Sequence, residues 1–162
     1  ATIAQLVPEN PYAGYLPFFA AGKNSVRELF EVRNSLEVGA APFLVRAATP
    51  EKIEQLKLLH DRMAKEKDQK RFSALDQLFH TELLRMMENR VLNGLLPFVI
   101  DFFSEMQKEK LKNQTLPKNT HEKTLREHLM IIDALEQRDS EALAGMFRVH
   151  NKVYFEILGI KP

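Results

Sequence analysis

The sequence predicts an all-α fold, an antiparallel bundle of about six helices. Apolar residues recur at steps of three and four from about residue 25 to the end, the period of helices with one buried face. No stretch sustains the alternation of a half-buried strand. Start signals and short polar breaks divide the chain into segments of helix length, and short connections favour antiparallel neighbours.

Residues 1–24 stand apart. Pro8, Pro11, Pro17, Gly14 and Gly22 argue against a continuous helix there. The segment reads as a linker or N-terminal arm, with Tyr12, Tyr15, Phe18 and Phe19 packing onto something else. The first helix opens at Ser25, with Glu28 in capping-box spacing. Its stripe runs Val26, Leu29, Phe30, Leu36, Ala40, Phe43, Leu44, and Pro42 is expected to kink it or split off its last turns. Thr49-Pro50-Glu51 starts a second helix: a capping hydroxyl, a proline at the first position, an acid in the first turn. Ile53, Leu56, Leu59 and Met63 form its stripe, and a turn is expected within Lys65 to Lys70.

A third helix carries Phe72, Leu75, Phe79, Leu83 and Met87. A fourth is expected from about Val91 to Lys112, bent at Pro97, with a loop after it around Pro117. The fifth has Leu125, Leu129, Ile132 and Leu135; Asp139 then caps a sixth with Ala142, Met146, Val153 and Ile157 on one side.

The chain has 162 residues, 44% apolar and 28% charged, enough for one soluble domain with its own core. It has no cysteine, which removes disulfides and thiolate metal sites and leaves His, Asp and Glu as the strong ligands. A net charge of +1 gives no overall bias toward nucleic acid or anionic lipid. The apolar stretch Tyr15 to Gly22 is too short to span a bilayer and lacks the basic lead-in of a signal peptide. A cytoplasmic location is therefore expected. The first residue, Ala1, suggests a processed product or an excised fragment.

Several polar residues interrupt the apolar stripes. Asp76 and His80 lie four apart, on one helix face. His128 stands between Leu125 and Ile132, and His150 between Met146 and Val153, at helical spacing. Each histidine alone reads as a core imidazole satisfied by a backbone carbonyl, and Asp76 with His80 as a simple helix pair. Taken together, four unpartnered buried groups would each cost about 1–3 kcal/mol. Convergence on one cation relieves all four, and imidazole with carboxylate suits zinc, nickel, iron or manganese. His60 and His121 read as surface or cap residues. Arg33 sits on the stripe of the first helix, either in an internal ion pair with Glu37 or as a clamp for a carboxylate ligand.

Four elements, in order, resemble the FCD domain, the effector-binding half of FadR-type regulators in the GntR family. They are Glu28 to Glu37, Asp76 to His80, Glu127 to Leu135, and Asp139 to Ala144 followed by Met146 and His150. The resemblance covers about residues 25–158. Residues 25–162 would form the FCD-like domain, with a central metal and ligand cavity, and residues 1–24 the linker from a winged helix-turn-helix domain outside this chain. It implies Asp76, His80, His128 and His150 as ligands of a divalent metal ion, zinc or nickel foremost. A small carboxylate effector would bind beside the ion, with Arg33 as ligand-binding residue. It further implies a homodimer acting on operator DNA through the missing domain, with no membrane partner. One departure is Glu88-Asn89 where the family favours Gly-Asn, which weakens the expected helix stop.

A metal-dependent hydrolase using an open His3Asp site is the competing reading. It lacks a general base, since Glu82 and Glu127 should point elsewhere on their helices. A ferritin-like di-iron site needs paired Glu-x-x-His motifs, which are absent. A helical interaction module stapled by an ion is the remaining alternative.

Overall fold

The computed structural model describes residues 25–97 and 120–157. It is all-α. Helix α1 spans Ser25–Ala47, α2 Pro50–Lys65 and α3 Gln69–Arg85. Residues 90–97 are helical and are labelled α4, α5 spans Thr120–Glu136 and α6 Ser140–Ile157. The arm expected at 1–24, most of the fourth helix expected over 91–112 and the loop expected around Pro117 fall outside the described residues. No helix among the described residues is long and apolar enough to cross a membrane.

Local chemistry explains most of the boundaries. Thr49 Oγ1 accepts from the Lys52 amide 3.3 Å away and caps α2, with Pro50 in its first turn. The turn predicted within 65–70 is Glu66 to Asp68, and Asp68 Oδ1 caps α3 through the Arg71 amide at 2.9 Å. Asp139 caps α6 as expected, accepting from the Glu141 and Ala142 amides at 3.0 and 2.9 Å. Helix α5 ends in a Schellman motif. The Asp139 amide donates to Ala134 O and the Arg138 amide to Leu135 O, with Arg138 at φ 56°. After α3, Glu88 takes the left-handed conformation at φ 53°. The stop that Gly would favour is made by a glutamate, which Lys52 holds at 2.7 Å.

Pro42 does not split α1, which runs unbroken to Ala47. The proline lies on the exposed side, where solvent can serve the carbonyl it leaves without a partner. Phe43 faces outward beside Arg46 instead of joining the core. On α5 Ile132 and Leu135 are buried as expected, but Leu129 is exposed and Ile131 is buried. On α6 the fully buried apolar residues are Leu143 and Phe147, one step on from Ala142 and Met146, which are partly buried.

Helix α1 packs chiefly against α6, α2 against α3 and α5, and α5 against α6. Leu44, Leu56, Met63, Phe79, Leu83, Ile131, Leu135 and Phe147 fill the space between them. The inward faces of α1, α3, α5 and α6 also carry buried polar groups, and these groups meet.

Candidate metal and ligand site

Asp76 and His80 project from one face of α3, His128 from α5 and His150 from α6. All four are buried. Each offers a ligand atom within 4.8 Å of the other three, so the structure brings together the whole set the sequence singled out. Nε2 of His80 lies 3.0 Å from Nε2 of His150 and 3.3 Å from Nε2 of His128. Asp76 Oδ1 is 3.3 Å from His128 Nε2 and 3.9 Å from His80 Nε2. Tetrahedral zinc with bonds of about 2.0–2.1 Å separates its donors by about 3.3–3.4 Å. The cluster has that scale.

Two of the imidazoles are held from behind. His150 Nδ1 lies 2.9 Å from Glu127 Oε2, and His80 Nδ1 lies 2.8 Å from Glu37 Oε1. A ring that donates from Nδ1 to a carboxylate keeps a bare lone pair on Nε2. Two such lone pairs 3.0 Å apart repel unless positive charge lies between them. A shared proton is disfavoured at neutral pH. Burial pushes His150 down to about 4, against the pull of Glu127, and the other two histidines push it the same way. Burial and the Arg33 charge also lower His80, against Glu37 and Asp76. The donor set fits a divalent cation.

His128 is held differently. Its ring stacks on Phe79, centroids 4.0 Å apart and planes at 6°.

Arg33 is buried on α1, and its Nε meets Glu37 Oε1 at 3.2 Å. The internal ion pair is therefore present. Glu37 also accepts from Asn151 Nδ2 through Oε2 at 2.8 Å. Burial alone would raise the Glu37 carboxyl, but Arg33, His80 and Asn151 outweigh it and hold it far below the carboxylate range.

Several expectations need correction. Glu127 does not point away: it is buried and bonded to His150. Its i−1 position to His128 hid a contact made by the neighbouring helix. Glu37 is more than half of an ion pair, because it also supports His80. Asn151 carries no sequence signal beyond its place next to His150. His60 is buried, not superficial, and its Nε2 meets Leu125 O at 3.1 Å. His121 stacks on Phe72 at 3.8 Å between centroids. Three clefts of about 230–370 Å³ lie away from the histidines, lined by groups such as Lys57 and Arg138, Lys52 and Glu82, or Leu36 and Phe43.

Fold and cluster together define a helical ligand-sensing domain, with polar groups converging where a purely structural bundle would be oily. The chain belongs to the FCD domain family, whose model matches residues 28–152. Its fold is shared with two solved structures. E. coli McbR/YncC superposes with a TM-score of 0.70 at 20% identity, over 85% of this chain and 66% of that one. Streptococcus agalactiae GntR superposes with a TM-score of 0.70 at 22% identity, over 93% of this chain and 66% of that one. The chain thus spans just under two thirds of either structure. No curated protein matches it. FCD membership makes this a regulatory domain and not an enzyme. The hydrolase reading falls with it, and Glu37 and Glu127, the carboxylates beside the four, are already engaged by His80 and His150.

Proposed function

We propose that this chain is the effector-binding domain of a FadR-type GntR regulator, with Asp76, His80, His128 and His150 holding one divalent cation, zinc or nickel. The observation that carries the reading is the 3.0 Å approach of two imidazole nitrogens whose opposite faces both meet carboxylates. Charge supports it. Among the described residues, Asp76, Glu37 and Glu127 are three buried carboxylates, and Arg33 is the one buried guanidinium beside them. That leaves two negative charges in the interior, the charge of a divalent ion. Half-exposed Lys123 touches only the rim, 3.8 Å from Glu127.

A small carboxylate, with a neighbouring hydroxyl or keto oxygen, is the effector. It binds beside the cation, and Arg33 grips its far end. Such a ligand would join α1, α3, α5 and α6. It shifts their packing only by its differential affinity for two arrangements, and a useful switch needs about 1–3 kcal/mol of coupling. The parent protein is a cytoplasmic homodimer whose DNA-reading heads, carried outside this chain, change their spacing on operator DNA. Residues 1–24 are the linker to them, and 25–162 the sensing domain.

Metal titration of the chelator-stripped chain tests the reading. One zinc or nickel ion per chain is expected, with loss of uptake in His128→Ala and His150→Ala. Full metal content in both variants would refute the ligand assignment.

A further inference from the structure

The three histidines of the cluster are not equivalent. His80 and His150 each have a carboxylate against Nδ1, while His128 has an aromatic face. The two carboxylates come from different helices and are secured in different ways.

Glu127 reaches His150 across the α5–α6 contact. It sits directly before His128, so the α5 dipeptide 127–128 serves two histidines at once: one side chain joins the cluster and the other meets a ring of the neighbouring helix. Glu37 reaches His80 across the α1–α3 contact. Three groups converge on it: Arg33 Nε at 3.2 Å, His80 Nδ1 at 2.8 Å and Asn151 Nδ2 at 2.8 Å. Asn151 also donates to Asn34 Oδ1 at 3.2 Å, which ties α6 to α1 next to His150. The α6 dipeptide 150–151 therefore mirrors the α5 one: His150 enters the cluster and Asn151 steadies the carboxylate behind His80.

A carboxylate behind a ligating imidazole does two things. It fixes the proton on Nδ1, so that Nε2 carries the lone pair, and it raises the basicity of that lone pair. It also locks the ring's direction. Both effects act on the ion through the histidine, without contact to the ion itself.

We infer that Glu37 and Glu127 are the positioning residues of the metal centre, orienting His80 and His150 for an ion they do not touch. The inference rests on the metal reading above. It assigns α1 a part in the site that its lack of any ligand would hide. It also makes the first helix sensitive to the ion through Glu37, on the same side chain that holds Arg33.

Glu37→Gln and Glu127→Gln, with Glu82→Gln as control, test this on the chelator-stripped chain. Glu82 is a partly exposed acid of α3 that pairs with Arg85. Zinc affinity, read by competition with a chromophoric chelator, should fall about 10–100-fold in each of the first two. The control should stay at the affinity of the unsubstituted chain. The absorption bands of the cobalt(II)-loaded chain should shift in Glu37→Gln and Glu127→Gln, a change that a merely structural role would not produce. If Glu37→Gln fails to fold, Glu127→Gln decides, since Glu127 lies at the edge of the cluster. Unchanged zinc affinity and unchanged cobalt bands in the folded variants would overturn the inference while leaving the metal reading intact. An unsubstituted chain that takes up no zinc or cobalt would overturn both.

Discussion

His80 and His150 face each other through Nε2 at 3.0 Å, each with a carboxylate behind its other nitrogen. A divalent cation among these nitrogens would satisfy both lone pairs. Loading should therefore stabilise the bundle. At a free metal concentration 100 times the dissociation constant, a ligand specific for the folded state adds about 2.7 kcal/mol. Thermal melting with and without a strong chelator should show a clear drop in Tm on stripping. A Tm indifferent to chelation at saturating zinc would count against the site.

Acid should weaken the metal-free domain earlier than surface carboxylates alone would. His150 is lowered from 6.5 to about 4 by burial, so the unfolded chain binds its proton first as pH falls. Stability from this group is full above pH 6.5 and lost as pH drops toward 4, on the order of 3 kcal/mol in all. The lowered His80 acts in the same direction. The depressed Glu37 removes more below its ordinary value of 4.5. Denaturant midpoints of the stripped chain should fall steadily from pH 7 to pH 4, and the slope should flatten in His150→Phe. A midpoint that stays level across this range would contradict the buried neutral imidazoles.

Arg33→Ala should keep the ion and lose the acid. Removing the guanidinium leaves the four cluster groups in place but takes away the proposed grip on a carboxylate. Calorimetry of the metal-loaded variant with a panel of small hydroxy- and keto-acids should show affinity reduced at least tenfold against the unsubstituted chain. Equal affinity would confine Arg33 to its pair with Glu37.

Arg138 holds a left-handed conformation at the end of α5, where glycine carries no steric penalty. Its side chain is exposed and takes no part in the cluster. Arg138→Gly should raise stability by about 1 kcal/mol in urea denaturation. A loss of stability would mean that the arginine makes a contact that outweighs the strain.

Much of this architecture is legible in the residues. Thr49-Pro50 and Asp139 mark helix starts because capping chemistry is local. Asp76, His80, His128 and His150 stand out because each interrupts an apolar stripe, and the structure gathers all four. Glu37 and Glu127 are harder to read. An acid beside a stripe looks like a solvated face, and only the neighbouring helix decides whether a histidine stands opposite. His60 fails for the same reason, since its partner is a backbone carbonyl 65 residues away. Pro42 misleads because the cost of proline depends on which face bears it, and here that face is exposed. Leu129 faces outward because the buried stripe of α5 runs through His128, Ile131, Ile132 and Leu135 and leaves it on the flank.

Anomalous diffraction from a crystal of the zinc- or nickel-loaded chain tests the central claim most directly. Data collected on both sides of the metal's absorption edge should give one strong peak per chain, among Nε2 of His80, His128 and His150 and Oδ1 of Asp76. A loaded crystal with no peak at that point, or with its metal bound elsewhere, would contradict it.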